Sequence, residues 1–110
     1  MTSVFYDESE LRMEISGHAQ SGDYGYDLVC AAASALLMTL EAALEDRREA
    51  LLPTVRKRPG EAMICCDAEP EHEQSCRDIM RTIFLGYELL ANRYPNNVST
   101  KANIADWREV

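Results

Sequence analysis

The residues from Leu28 to Leu51 constrain the fold of this 110-residue chain more than any other segment. Apolar side chains recur there at intervals of three and four residues, at Val29, Ala33, Leu36, Leu37, Leu40 and Leu44. That spacing is typical of an amphipathic α-helix that packs one face on a core. Asp27 is a good helix-capping residue. We therefore predict that Asp27 caps this helix, which places Cys30 at its third position.

The chain before this helix predicts two strands. In 11–16, apolar Leu11, Met13 and Ile15 alternate with polar residues, which is the period of a half-buried strand. Residues 4–7 precede it, and the three residues between the two runs are enough for a turn. The two segments therefore predict a hairpin, followed by a loop that contains Gly17, Gly22 and Gly25.

The second half of the chain predicts a loop over 53–60, a short buried strand over 62–66 and a last strand over 98–104. Between the two strands, a helix that opens at Glu69-Pro70-Glu71 has acidic residues in its first turn, as the helix dipole prefers. Its apolar stripe consists of Cys76, Ile79, Met80, Ile83, Tyr87 and Leu90. The predicted order is ββαβαβ. This is an α/β chain of the α+β sandwich type, one domain over residues 1–110, with two helices on one face of a small mixed or antiparallel sheet.

Composition and charge exclude some function classes. With 19 acidic and 11 basic residues the net charge is −8, which disfavours direct binding to nucleic acid. The one basic cluster, Arg56-Lys57-Arg58, lies between two prolines; we interpret it as a solvated loop, with a binding patch as the alternative. No signal peptide is apparent, and the apolar run Leu28–Leu40 is too short for a membrane span. We expect a cytoplasmic protein whose four cysteines are reduced thiols.

One of the two histidines and one of the four cysteines lie on either side of the glycine-containing loop. His18 precedes the loop, and Cys30 follows it near the predicted start of the helix. A thiol near a helix N-terminus, within reach of an imidazole, readily forms a reactive thiolate. The arrangement predicts a cysteine nucleophile. The alternative is a packed, inert thiol and an unrelated loop histidine.

These residues belong to a longer pattern, which consists of Gly17-His18-Ala19, Gly25-x-Asp27-Leu28-Val29-Cys30-Ala31 and Ser34-Ala35. The pattern resembles the ribosomal-processing cysteine protease family, Prp, and the resemblance extends over nearly the whole chain in length and element order. It implies that Cys30 is the nucleophile, that His18 is the catalytic histidine and that the loop between them shapes substrate access. One departure is conservative: Leu28 stands where isoleucine is common in the family.

The resemblance also implies a substrate. Members of the family remove an N-terminal extension from large-subunit ribosomal protein twenty-seven and cut after a pair of aromatic residues. They are homodimers and need no cofactor. The expected partners are therefore the N-terminal segment of that ribosomal protein and a second copy of the chain, with no direct nucleic acid and no membrane.

The supporting residues allow more than one role. Backbone N–H groups around Val29 to Ala31 are natural oxyanion donors if they lie in the first helical turn. Asp27 either caps the helix or orients His18, and Ser34 either donates a hydrogen bond in the site or fills a gap between helices. Gly22 and Gly25 form plain turns, a hinge for the loop, or both.

Two further functions are weighed against the protease. A zinc site would draw on Cys65, Cys66, His72 and Cys76. Adjacent strand residues point to opposite faces, however, so Cys65 and Cys66 cannot easily bind one ion, and we expect no metal. The second alternative is a non-catalytic, ribosome-associated binding module on the same fold.

Overall fold

The computed structural model describes residues 1–17 and 24–104, except for the side chains of 24–27. It contains five strands and three α-helices within these residues. The strands are β1 (Thr2–Asp7), β2 (Arg12–Ser16), β3 (Pro53–Arg58), β4 (Glu61–Cys66) and β5 (Val98–Asn103). The helices are α1 (Tyr24–Asp46), α2 (Arg48–Leu51) and α3 (Glu73–Arg93).

The strands form one mixed sheet in the order β3-β4-β2-β1-β5. The pairs β1–β2, β2–β4 and β3–β4 are antiparallel, and β5 runs parallel to β1. Val4 lies opposite Ile15, and Met13 lies opposite Ile64, so apolar residues of neighbouring strands share one face. Helices α1 and α3 pack together on that face. The predicted α+β architecture, with two long helices over a small mixed sheet, is confirmed.

The core lies between the sheet and these two helices. Its largest fully buried side chains include Tyr6, Met13 and Ile64 from the strands and Leu40 and Phe84 from the helices. The rings of Tyr6 and Phe84 are in tilted contact, with centroids 5.8 Å apart. Burial of this apolar surface is the main favourable contribution to the stability of the fold.

The predicted loop over 53–60 is wrong, because residues Pro53–Arg58 form β3 and pair with β4. The strand lies at the edge of the sheet, and most of its residues are exposed. An edge strand with little cover needs no alternation of apolar and polar side chains. Without that alternation, a basic run between two prolines has the composition of a loop.

The ends of both long helices also differ from the prediction. Helix α1 begins at Tyr24, three residues before Asp27, and ends at Asp46; the four-residue α2 then follows. A 3₁₀ turn over Pro70–His72 precedes α3, which begins at Glu73. No proline between 24 and 30 blocks an earlier start, and an aspartate is also favourable within the first helical turn.

Helix α1 meets the length and composition criteria for a membrane span over Leu28–Asp46, where the mean hydropathy is 1.7 and 22% of the stretch is buried. This stretch is longer than Leu28–Leu40, so length alone does not exclude a span. The criterion is weak evidence, because core helices of globular domains also meet it. Val29, Leu40 and Leu44 on this helix are buried.

Candidate active site

Cys30 lies on α1 at the wall of a cavity of about 230 Å³. The cavity opens between the first half of α1 and the sheet, where β2 ends and β4 begins. Its apolar lining comes from Ile15, Ala33, Leu37 and Ala62, and its polar lining from Thr2, Ser34, Lys57, Arg58 and Glu61. Cys30 itself is half-buried, so it is neither sealed in the core nor fully exposed. A thiol at the wall of a largely apolar cleft fits a nucleophile that meets a bound peptide.

Gly17 brings the chain to this cavity just before His18. Its φ of +86° lies in the left-handed region, which glycine adopts without strain. Its N–H donates a hydrogen bond of 2.7 Å to the carbonyl of Gly60, and a Cβ at this position would collide with the Met1 carbonyl. The glycine is therefore required both for its backbone conformation and for space.

The predicted site residues are only partly brought together. Cys30 and Ser34 lie one helical turn apart and line the same cavity. Ser34 is exposed, so it does not fill a gap between helices. His18 and Gly22 lie outside the described residues, and Gly25 and Asp27 lie in the first four residues of α1. The distance between the imidazole and the thiol, and the role of Asp27 toward His18, therefore stay predictions.

The early start of α1 corrects two expectations about the helix end. Asp27 is the fourth residue of α1 and does not precede it, and Cys30 is the seventh residue rather than the third. Amides of residues 29–31 thus have intrahelical acceptors at 25–27 in this conformation. They are not the open oxyanion donors that the sequence predicted.

Two cations that the sequence analysis assigned to a loop lie at the cavity. Lys57 and Arg58 of β3 both line it. The Lys57 ammonium contacts the Glu41 carboxylate of α1 at 2.6 Å, which joins the edge strand to the helix. The signal was present in the sequence as the single basic cluster, but only the pairing of β3 with β4 shows that it reaches the site.

Helix α1 is held against α3 just beyond Cys30. The buried Tyr87 hydroxyl of α3 donates a hydrogen bond of 2.9 Å to the carbonyl of Ala33. Burial and the nearby Glu41 carboxylate raise the pKa of Tyr87 well above its ordinary value, so it stays a neutral donor. Gly86 allows close approach at the same level, since a Cβ there would meet the end of the Leu36 side chain at 2.6 Å.

The other cysteines are distant from this chemistry. Cys66 of β4 is buried and hydrogen-bonded to Cys76 of α3; this bond and burial raise the pKa of the Cys66 thiol, while the same bond lowers that of Cys76. Cys65 is half-exposed, as expected for a strand neighbour on the opposite face. Among the residues that the structure describes, no cluster of metal-ligating side chains is found.

Comparison with known proteins identifies the family. The sequence model of one protein family, described as cysteine protease Prp, matches residues 1–99 of this chain. The chain belongs to the Prp family. It is therefore a cysteine protease, and the non-catalytic binding module considered above is no longer favoured. No curated protein matches the chain.

Solved structures share this fold. SMU.848 from Streptococcus mutans is 28% identical, with a TM-score of 0.68 over 92% of this chain and 90% of that one. The ribosomal processing protease Prp from S. aureus with a covalently linked product peptide is 24% identical, with a TM-score of 0.75. The same protease with a substrate peptide is 21% identical, with a TM-score of 0.76. Each comparison with the S. aureus protein covers 94% of this chain and 100% of that one.

Proposed function

We propose that this Prp-family protease matures the ribosome. Its substrate in this proposal is the N-terminal extension of large-subunit ribosomal protein twenty-seven, which it removes by a cut after a pair of aromatic residues. The observation that carries the proposal is the position of Cys30 at the wall of a cleft with apolar sides. The S. aureus relative, described as a ribosomal processing protease, has been solved with peptides bound, which supports the same class of substrate here.

The cavity suits an aromatic side chain next to the cut. Ile15, Leu37 and Ala62 give it an apolar lining. Its volume of about 230 Å³ is enough for one large ring but not for a folded segment. An aromatic ring gains more from apolar burial than a polar side chain of the same size. We infer that this cavity receives one of the two aromatic residues.

The proposed reaction uses Cys30 and His18. The Cys30 thiolate attacks the carbonyl carbon of the scissile peptide bond, and the carbonyl oxygen becomes an oxyanion. His18 gives a proton to the amine as the carbon–nitrogen bond breaks, which leaves an acyl thioester on Cys30. His18 then takes a proton from water as the resulting hydroxide attacks the thioester and its carbon–sulfur bond breaks. The peptide leaves as a free carboxylate with one proton passing to solvent, and the Cys30 thiolate and the protonated His18 are restored.

Ser34 supports the negative charge of the oxyanion in this proposal. The Ser34 hydroxyl is one turn from Cys30 and can donate a hydrogen bond into the cavity. Lys57 also lines this space, where its ammonium is paired with the Glu41 carboxylate. No cofactor takes part in these steps.

The first test is mass spectrometry of the host's N-terminally extended ribosomal protein after incubation with the protease. The wild-type protein should cut after the aromatic pair, and Cys30→Ala should not cut while it keeps its fold. Cleavage by Cys30→Ala at a rate close to wild type would contradict the assignment of the nucleophile. Absence of cleavage by the folded wild-type protein would contradict the substrate.

We further propose that the protease works in the cytoplasm as a homodimer. Four large apolar side chains, Leu28 and Met38 of α1 and Leu85 and Leu89 of α3, are exposed on the side of the helices away from the sheet. Leu89 is 69% exposed and Met38 is 61% exposed. A second copy of the chain that covers these side chains would remove them from water.

A further inference from the structure

In the part of the chain that the structure describes, β3 is an edge of the sheet with no strand on its outer side. It pairs with β4 on one side only, and its residues from Thr54 to Arg58 are all exposed. Edge strands carry a row of main-chain N–H and C=O groups that can pair with an added strand. Extended peptides are recognised in this way by several kinds of domain.

The register of the hairpin shows which main-chain groups face outward. Arg58 pairs with Glu61 across the two-residue turn Pro59-Gly60, so these two residues form the first hydrogen-bonded pair. Hydrogen bonding alternates along the ladder, and therefore Val55 and Lys57 direct their N–H and C=O groups away from β4. Within residues 1–17 and 24–104, neither makes a main-chain hydrogen bond outside that ladder.

This edge leads directly to the nucleophile. Lys57 and Arg58 line the same cavity as Cys30, whereas the strand at the opposite edge, β5, contributes no residue to it. A segment paired with Val55 and Lys57 would enter the cavity at the end of β3. The outer edge of β5, with the whole sheet between it and β3, offers no such path.

We propose that the substrate binds as an added sixth strand along the outer edge of β3, with its main chain hydrogen-bonded to Val55 and Lys57 and its scissile bond carried past Arg58 to Cys30. The bound molecule is an extended peptide segment. The residues of this segment that lie along β3 are recognised through their main-chain N–H and C=O groups. This inference rests on the proposed proteolytic function and adds to it the surface that orients the substrate.

The side chains of β3 fit this use. Lys57 contacts Glu41, so its charge is held toward the helices instead of along the edge. Pro53 has no N–H and faces the same outer side as Val55 and Lys57, which limits pairing to a short segment. A second depression on the open face of the sheet is also lined by β3, through Arg56 and Arg58. Successive side chains of a bound strand point to opposite faces of the sheet, and each face offers a space for them: the cavity beside Cys30 on one and this depression on the other.

The decisive variant is Val55→Pro, which removes the outward N–H of Val55 without touching the ladder with β4. Proline is tolerated at edge positions whose N–H faces solvent, so the fold should persist. Val55→Thr is the matched control, because it keeps the N–H and the branched shape. We expect kcat/KM for a peptide that the wild type cleaves to fall about tenfold in Val55→Pro, the loss of about one hydrogen bond. The control should stay within about twofold of wild type.

A second measurement uses Cys30→Ala protein, which holds the peptide uncut. Saturation with the same peptide should slow hydrogen exchange of the Val55 and Lys57 amides. This readout decides the matter if Val55→Pro does not fold.

Three results would overturn the proposal while the proteolytic function stands. One is equal kcat/KM in Val55→Pro and Val55→Thr. Another is protection of amides elsewhere on binding, with Val55 and Lys57 unchanged. The third is protection of these two amides in the peptide-free protein that rises with protein concentration, which would assign the edge to a second copy. A folded wild-type protein that cleaves no extension would refute the proposed function, and this inference with it.

Discussion

At the residue scale, Gly17 is the position where backbone conformation is most restrictive. Replacement by alanine would force a side chain into the left-handed region and into the Met1 carbonyl. We expect Gly17→Ala to lower the free energy of unfolding by about 2 kcal/mol or more, from backbone strain and overpacking together. It should also reduce cleavage, because Gly17 immediately precedes His18. Urea unfolding and peptide cleavage measure the two effects.

Gly86→Ala is the matched control for this change. Its new Cβ would meet only the flexible end of Leu36, and alanine is favoured over glycine in a helix by about 1 kcal/mol. We expect Gly86→Ala to stay within about 1 kcal/mol of wild type. Equal losses for the two variants would show that the Met1 carbonyl does not restrict residue 17.

A second residue, Asp7, makes the free energy of unfolding depend on pH in the acid range. Its carboxylate accepts hydrogen bonds from Ser9 at 2.6 Å and from Asn103 at 3.1 Å, and these lower its pKa below the ordinary value. The unfolded chain then binds the proton more tightly than the folded chain. The stabilisation of the folded protein by ionised Asp7 is fully present above about pH 4, the ordinary pKa of an aspartate. It is lost as the pH falls through the lowered pKa.

Asp7→Asn should therefore lose less stability than wild type between pH 7 and about pH 3, as measured by urea unfolding at both pH values. Ser9→Ala should change the acid response in the same direction, since the Ser9 hydrogen bond is the main cause of the shift. An acid response as steep as that of wild type in both variants would contradict this account.

At the scale of elements, the ion pair between Glu8 and Arg81 connects the turn after β1 to α3. Arg81 contacts both carboxylate oxygens at 2.6 Å, and the buried Tyr6 hydroxyl donates to the same carboxylate. Arg81→Met would leave the buried Glu8 carboxylate without its guanidinium partner. We expect a loss of about 3 kcal/mol in the free energy of unfolding, measured by thermal or urea denaturation.

The exposed pair between Arg48 and Glu45 provides the comparison. Both of its side chains are about 60% exposed, at 59% and 61%, so solvent screens the attraction. Arg48→Met should leave the free energy of unfolding close to that of wild type. A similar cost for the two methionine variants would mean that burial of Glu8 does not determine the strength of its pair.

Sequence alone could predict the elements that bury a repeating pattern. The alternation at Leu11, Met13 and Ile15 predicts β2, and the stripe from Val29 to Leu44 predicts α1, because both patterns arise from contact with the core. Edge strand β3 could not be predicted, because its residues are mostly exposed and neither face of the strand has to be apolar. Helix starts are equally difficult, because Asp27 is compatible with a cap and with the first turn.

The placement of Cys30 and Ser34 at one site was predictable from the sequence, but the other residues that line the cavity were not. Cys30 and Ser34 belong to one local motif, and their spacing of four places them on one side of a helix. Ile15, Lys57 and Ala62 reach the cavity only through strand pairing between segments far apart in sequence. The pairing and register of strands that are far apart in the chain could not be predicted from the sequence.

At the scale of the whole molecule, the apolar side chains on the outer side of α1 and α3 predict self-association. Met38→Glu with Leu89→Glu would place two charges on this surface, and a charge buried without a partner is costly. We expect the wild type to sediment as a dimer and the double variant as a folded monomer at the same concentration. Lys101→Glu, on the open face of the sheet, adds an acidic group away from the helices and should stay dimeric.

The same comparison separates assembly from catalysis. Neither Met38 nor Leu89 lines the cavity beside Cys30, so a monomer with a complete site should keep its kcat for the peptide. A monomer that has lost activity would instead show that the partner subunit completes the site. Wild-type protein that sediments as a monomer at every concentration, or a double variant that remains dimeric, would remove the helical surface as the interface.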